Sequence, residues 1–541
     1  MARCVWLVWD GAAYPLVADL LARGLLPHLQ RVVAQGFFVA TAPPGPNSET
    51  PPGLMTLFTG REEPDHGTPG FQGPPPRAAH RAIAESCSGF DLSWLRHPPI
   101  WVEAVAQGRT VALAATAFAP DPLLRHPYPW PYPLPEYRYL VDGYRHEVAE
   151  AQLVPLKGRE TAVTLAERRY TVRCEGNAAF LVAPDGQAVF LPPLRGPAEV
   201  VPLWVDAAVG LGGYVARLTP PEVSSGEAAE WLWCSAITRL AVSPPHLWPR
   251  ELGPFLGAGL GWHYSRGKIG KGPRLSLTAL KAVTLRLARF FGDLAVHTLA
   301  AHPADLVILY QPALDEIAHQ LLADALAAWP QGAAAQAVIA VHREVDRQLG
   351  RLLPYLRAED TLLISSDHGQ LPIRTCLRPN VVLRQAGLLR LKGEQVDLAH
   401  TRALFHSSGW ILINTADRPG GIVPPSAYES TLREVERCLE AAVDPRSGRP
   451  LGLRHSRALW TGSAPPPGDL FVWGPPEAEL RPHFFGPAAG PPEVGGHHQT
   501  SLHESPFLQA LLAACGPGVR GVPLPQRNSE VLALVRRALP L

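Results

Sequence analysis

At 541 residues, 46% of them hydrophobic, the chain is long enough to bury a large core and to divide into roughly two to four domains. Lys and Arg number 49 against 48 Asp and Glu, with no dense run of either sign, so neither a nucleic-acid polymer nor an anionic membrane surface is an expected partner. Seven scattered cysteines without a C-x-x-C pair exclude a disulfide framework and a cysteine zinc site, and a reducing cytoplasm is the expected setting.

The chain opens with CVWLVWDG, a buried-type strand that delivers Asp10 at its end. This apolar run is shorter than a secretory h-region, and no later stretch reaches the roughly 18 to 20 apolar residues of a membrane span. Residues 14–36 read as helix with a proline break and a glycine stop. TPPGLMTLFTG, from Thr50, then puts a hydroxyl at the start of a helix, where free N–H groups and the positive end of the dipole favour attack on a phosphoryl group. An N-cap explains Thr50 equally well, and Ser48 is the alternative nucleophile.

Residues 100–118 predict a helix and a strand of the same core. The proline- and aromatic-rich run at 125–140 predicts a linker or lid, and YTVRC, AAFLVA and QAVFLPP predict short antiparallel strands. Residues 122–290 therefore read as an inserted α+β cap between core parts at 1–121 and 291–541. GAGLGWH at 257–263 reads as a turn, since it neither follows a strand nor opens a helix.

After a helical stretch from residue 275, ADLVILYQPALDEIAHQLL predicts a strand and then a helix that carries Asp315 and His319 on one face. TLLISSDHG is the most informative stretch: an apolar strand ends in Asp367 and His368, two metal-ligand types at the carboxyl edge of a sheet. GWILIN, SAYESTLREVERCLEAAV and DLFVW continue the α/β alternation. Near the end, GGHH places His497 and His498 before a strand and a Gly-Pro-Gly turn, with His406 and His400 as weaker competitors.

Asp10, Thr50, Asp315 with His319, Asp367 with His368, and a late His before GPGV occur in an order that resembles the alkaline phosphatase superfamily, and within it the type I phosphodiesterase/nucleotide pyrophosphatase branch. The resemblance implies a three-layer α/β/α core with a mostly parallel central sheet. It also implies a phosphohydrolase that acts on a small phosphorylated substrate through a threonine nucleophile and a covalent phospho-enzyme. Two divalent cations are implied, zinc foremost, with Mn²⁺ or iron as alternatives. Asp315, His319 and His497 or His498 would hold one; Asp10, Asp367 and His368, with Thr50, would hold the other.

One departure bears on substrate: GTPGFQ puts Phe71 where the nucleotide pyrophosphatases carry an asparagine that donates to the phosphoryl group. SETPPG lacks the arginine a sulfatase requires. A phosphomutase-like metalloenzyme, and a relative that binds a phosphorylated ligand without turnover, are the competing readings.

Overall fold

The computed structural model describes residues 2–74, 81–91, 94, 96–118, 139–142, 147–149, 151–196, 199–206, 211–219, 230–239, 241–243 and 275–541. The glycine loop at 257–263 and all but the last two residues of the proline-rich run at 125–140 lie outside them.

Strand β1 (Cys4–Trp9) is buried along its whole length, as a continuously apolar run requires when helices cover both faces of a sheet. It sits inside an eight-stranded sheet with β2 (Gly36–Thr41), β3 (Val111–Ala114), β4 (Tyr139–Asp142), β5 (Ala241–Ser243), β6 (Leu306–Gln311), β7 (Thr361–Ser365) and β8 (Ala510–Cys515), in the order β5-β4-β3-β6-β1-β7-β8-β2. The run from β4 through β3, β6 and β1 to β7 is parallel. β5 and β8 are reversed, so the sheet is mostly parallel with antiparallel strands near its edges.

Side chains of β1 alternate between two helical layers. Trp6 packs edge-on against Phe58 of helix α1 (Thr50–Thr59), which in turn meets Trp101, and its indole N–H donates to Ser365 Oγ at 2.8 Å. On the other face Leu7 and Trp9 share a small cavity with Phe291 of α2 (Leu277–Ala301) and Val345 and Leu349 of α4 (Ala333–Leu352). The expected three layers are thus present. Trp6 is fully buried, and its truncation to Ala would cost about 3–5 kcal/mol.

Within residues 122–290, β4 and β5 extend the main sheet, while the stretch between them forms two antiparallel sheets of six and four strands around their own core, including Val163, Val172, Leu181 and Leu232. Helix α2, capped by Ser276, ties this part to the main core, because Tyr214 rests against its Phe290 and under its Arg286. Residues 377–480 also pack a core of their own, around Phe405, Ile411, Val435 and Leu470. Among the described residues no helix is long and apolar enough to cross a membrane, and all seven cysteines are unpaired.

Candidate metal centre and nucleophile

Strands β6, β1 and β7 are parallel neighbours in a register that sets Val8 opposite both Tyr310 and Ser365. All three chains therefore leave the sheet at one edge. Asp10 follows β1 directly, Asp367 lies two residues beyond β7, and Asp315 stands in the first turn of α3 (Ala313–Ala327), just after β6. The close approach depends on Gly11: its φ is +63°, and a Cβ there would fall 2.6 Å from Asp315 Oδ1.

His368 Nε2 lies 3.2 Å from Asp367 Oδ2, 3.5 Å from Asp10 Oδ1 and 3.2 Å from Thr50 Oγ1. His319 Nε2 lies 3.3 Å from Asp315 Oδ2 and 3.1 Å from His498 Nε2, which is 3.6 Å from Asp315 Oδ1. Two buried donor groups result, Asp10 with Asp367 and His368, and Asp315 with His368 and His498.

The carboxylates are divided oxygen by oxygen. Asp10 Oδ2 accepts a short hydrogen bond from the Tyr310 hydroxyl, whereas its Oδ1 is buried without a partner. Asp367 Oδ1 accepts from the backbone of Gly11 and His368, whereas its Oδ2 is buried without a partner. Asp315 Oδ1 is held by the Gln370 carboxamide.

The imidazoles follow the same rule. The Nδ1 atoms of His319, His368 and His498 face the carbonyls of Gly496, Gly369 and Ser48, which fixes Nδ1 as the donor and turns the Nε2 lone pairs inward. The Nε2 atoms of His319 and His498 meet at 3.1 Å, and although burial opposes it, Asp315 draws His319 above its ordinary imidazole value. Unpartnered buried carboxylate oxygens and facing imidazole lone pairs are a donor set that fits divalent cations.

Electrostatics agree. Burial, and then the neighbouring Asp367 and Asp315, hold Asp10 well above the ordinary carboxyl range. Burial would raise Asp315 too, but His319 beside it brings it below that range. Burial, then His368 and His319, pushes His498 well below the ordinary imidazole value.

Thr50 is the first residue of α1, with Glu49 at the N-cap and no side-chain cap bond. Its hydroxyl does not cap the helix; it faces His368. Ser48 is turned away and donates to the His498 carbonyl at 2.7 Å, anchoring that loop. His497 belongs to neither donor group, and its Nδ1 accepts from the His498 backbone at 2.8 Å. His406 binds the Ile83 carbonyl, and His400 is exposed beside Asp397.

Sequence reading misses Tyr310 and Gln370. Gln370 follows the Asp-His-Gly turn immediately, which is a usable signal; Tyr310 reads only as another apolar strand residue.

A family model described as type I phosphodiesterase / nucleotide pyrophosphatase matches residues 4–466. No curated protein sequence matches. Among solved structures, phosphonoacetate hydrolase from Sinorhizobium meliloti 1021 in complex with phosphonoformate is 14% identical at a TM-score of 0.48, covering 99% of this chain and 96% of its own. Murine ectonucleotide pyrophosphatase / phosphodiesterase 5 is 13% identical at a TM-score of 0.49, covering 100% of this chain and 95% of its own.

Proposed function

The chain belongs to the type I phosphodiesterase / nucleotide pyrophosphatase family, and from that premise we propose that it is a phosphodiesterase in which Thr50 is the nucleophile and two divalent cations, zinc foremost, occupy the cluster around His368. The observation that carries this reading is the convergence of Asp10 Oδ1, Asp367 Oδ2 and Thr50 Oγ1 on one imidazole nitrogen, the first two buried and unpartnered.

When bound, the cations would supply the positive charge that lowers the pKa of the threonine hydroxyl and offsets the charge of the phosphoryl oxygens. Asp315, His319 and His498 would hold one, and Asp10, Asp367 and His368 the other. The remaining chemistry belongs to the chain. Thr50 Oγ1, at the positive end of a ten-residue helix, forms the new P–O bond while the ester oxygen leaves and takes up a proton. Water then attacks the phosphorus of the phosphorylated Thr50 and breaks the bond to Oγ1, which takes one of the water's protons as the phosphoryl product leaves. Ser48, Gly369 and Gly496 keep the three imidazoles oriented throughout.

The antiparallel sheets between β4 and β5 would form an inserted cap, whereas β4, β5 and the start of α2, expected within the cap at 122–290, join the main core; a reducing cytoplasm suits seven unpaired cysteines. Metal analysis of the purified protein, with turnover of a chromogenic bis-ester and mono-ester, tests the proposal. Bound zinc with bis-ester hydrolysis is the expected result; a zinc-free protein inert on both would favour a non-catalytic binding role.

A further inference from the structure

Phe71 lies against His498 at the rim of the proposed metal centre, and its surroundings show how it is held there. Its backbone N–H donates at 2.7 Å to the Glu49 carboxylate, so its loop is pinned to the residue that precedes Thr50. Gly70 makes the pinning close, since a Cβ there would lie 1.8 Å from Glu49 Oε2. Glu49 is buried, and burial pushes its carboxyl up to about 7.

The Phe71 ring meets the edge of His498, with centroids 6.1 Å apart and planes at 66°. It meets Phe90 at 5.9 Å, and Phe90 meets the fully buried Phe118 at 5.6 Å. An aromatic series thus runs from the core to the rim of the metal centre, and Phe71 remains partly exposed at its outer end. Gln72, the next residue, is exposed, and its Oε1 accepts from Ser86 at 2.9 Å.

We infer that Phe71, backed by Phe90, is a specificity determinant that receives the apolar or aromatic organic group of the substrate, so that the enzyme prefers aryl or similarly apolar phosphoesters. This rests on the phosphohydrolase reading above, because the ring is useful only beside a bound phosphoryl group. Aromatic rings pair with one another edge-on or offset, and Phe71 is a partly exposed apolar residue set next to an otherwise polar centre.

Calorimetric titration of the zinc-loaded full chain with phenylphosphonate and methylphosphonate, which share one anionic head, tests it. The wild type is expected to bind phenylphosphonate about tenfold more tightly. Phe71→Ala and Phe71→Ser are expected to erase that preference while methylphosphonate affinity stays within about twofold. A preference that survives in both variants overturns the inference. So does a parallel loss of both ligands together with zinc, which would make the ring a mere buttress of His498. Equal binding of the two ligands by the wild type overturns it and leaves the phosphohydrolase reading standing; zinc-loaded protein that binds neither sinks that reading and this inference with it.

Discussion

The imidazoles of His368 and His498 lie face to face, with ring centroids 3.6 Å apart and planes 12° apart. Burial opposes charge on both, but Asp367 and Asp315 draw His368 above its ordinary value, while His368 and His319 push His498 further down. His498 therefore stays a neutral acceptor in neutral solution, as a cation ligand must. The pairing also separates the two late histidines. His498→Ala is expected to lose one of two zinc equivalents, an effect larger than the roughly 10- to 100-fold drop in affinity typical of losing an outer hydrogen-bond partner. His497→Ala should keep both equivalents, as read by elemental analysis after dialysis.

Thr50→Ala removes the proposed nucleophile and none of the carboxylates or imidazoles. Zinc content should be unchanged, while turnover of a chromogenic bis-ester falls by about 10³-fold or more. Near-normal turnover would refute the assignment.

Tyr310→Phe deletes a single hydroxyl and leaves the ring in place, 6.2 Å from Phe291. Asp10 then loses the donor that holds its Oδ2 and directs its Oδ1 inward. Zinc affinity, measured by competition with a chelator, is expected to fall about tenfold, with a stability change near 1 kcal/mol.

A different carboxylate controls acid stability. At the far end of β7, Asp360 accepts from the backbone and guanidinium of Arg3 and from the Arg357 backbone. Burial would raise it, but these donors bring it down to about 2. Because its folded pKa is depressed, its contribution is complete above the unfolded value near 4 and is lost as pH falls from there toward 2; it amounts to about 2 kcal/mol. Asp360→Asn should cost about 3 kcal/mol at neutral pH and flatten the stability profile between pH 4 and 2 in urea titrations, since Arg3 is left buried with a weaker partner.

Much of this candidate site is legible in the sequence because its carboxylates come where apolar strands stop or soon after. CVWLVWD and TLLISSDH announce both their burial and their edge, and DEIAH needs only helical spacing to bring Asp315 and His319 together. The choice between His497 and His498 is not legible. It depends on a two-residue strand, Gly496–His497, whose pairing with Leu371 and Pro372 decides which ring turns inward. Tyr310 is hidden for a related reason: in a strand buried on both faces, apolar composition does not reveal which side chain reaches past its end. Nor does the sequence alone show that residues 377–480 hold a separate core, because their helices and strands alternate much like those of the main sheet.

The position of β8 joins distant parts of the chain, since it pairs with both β7 and β2. β2 has β8 as its hydrogen-bonded neighbour in the sheet although the two are far apart in the chain, so the pair closes only once the downstream strand has been made. Until then β2 and one edge of β7 expose open backbone, a template for pairing with other nascent chains. Asn528, at the start of the final helix, then donates to the carbonyls of Ser366 and Asp367 and accepts from Thr41. The strand that carries Asp367 to the site is thus sealed by residues far downstream of it, and loss of β8 is expected to leave β2 and β7 open to pairing with other chains.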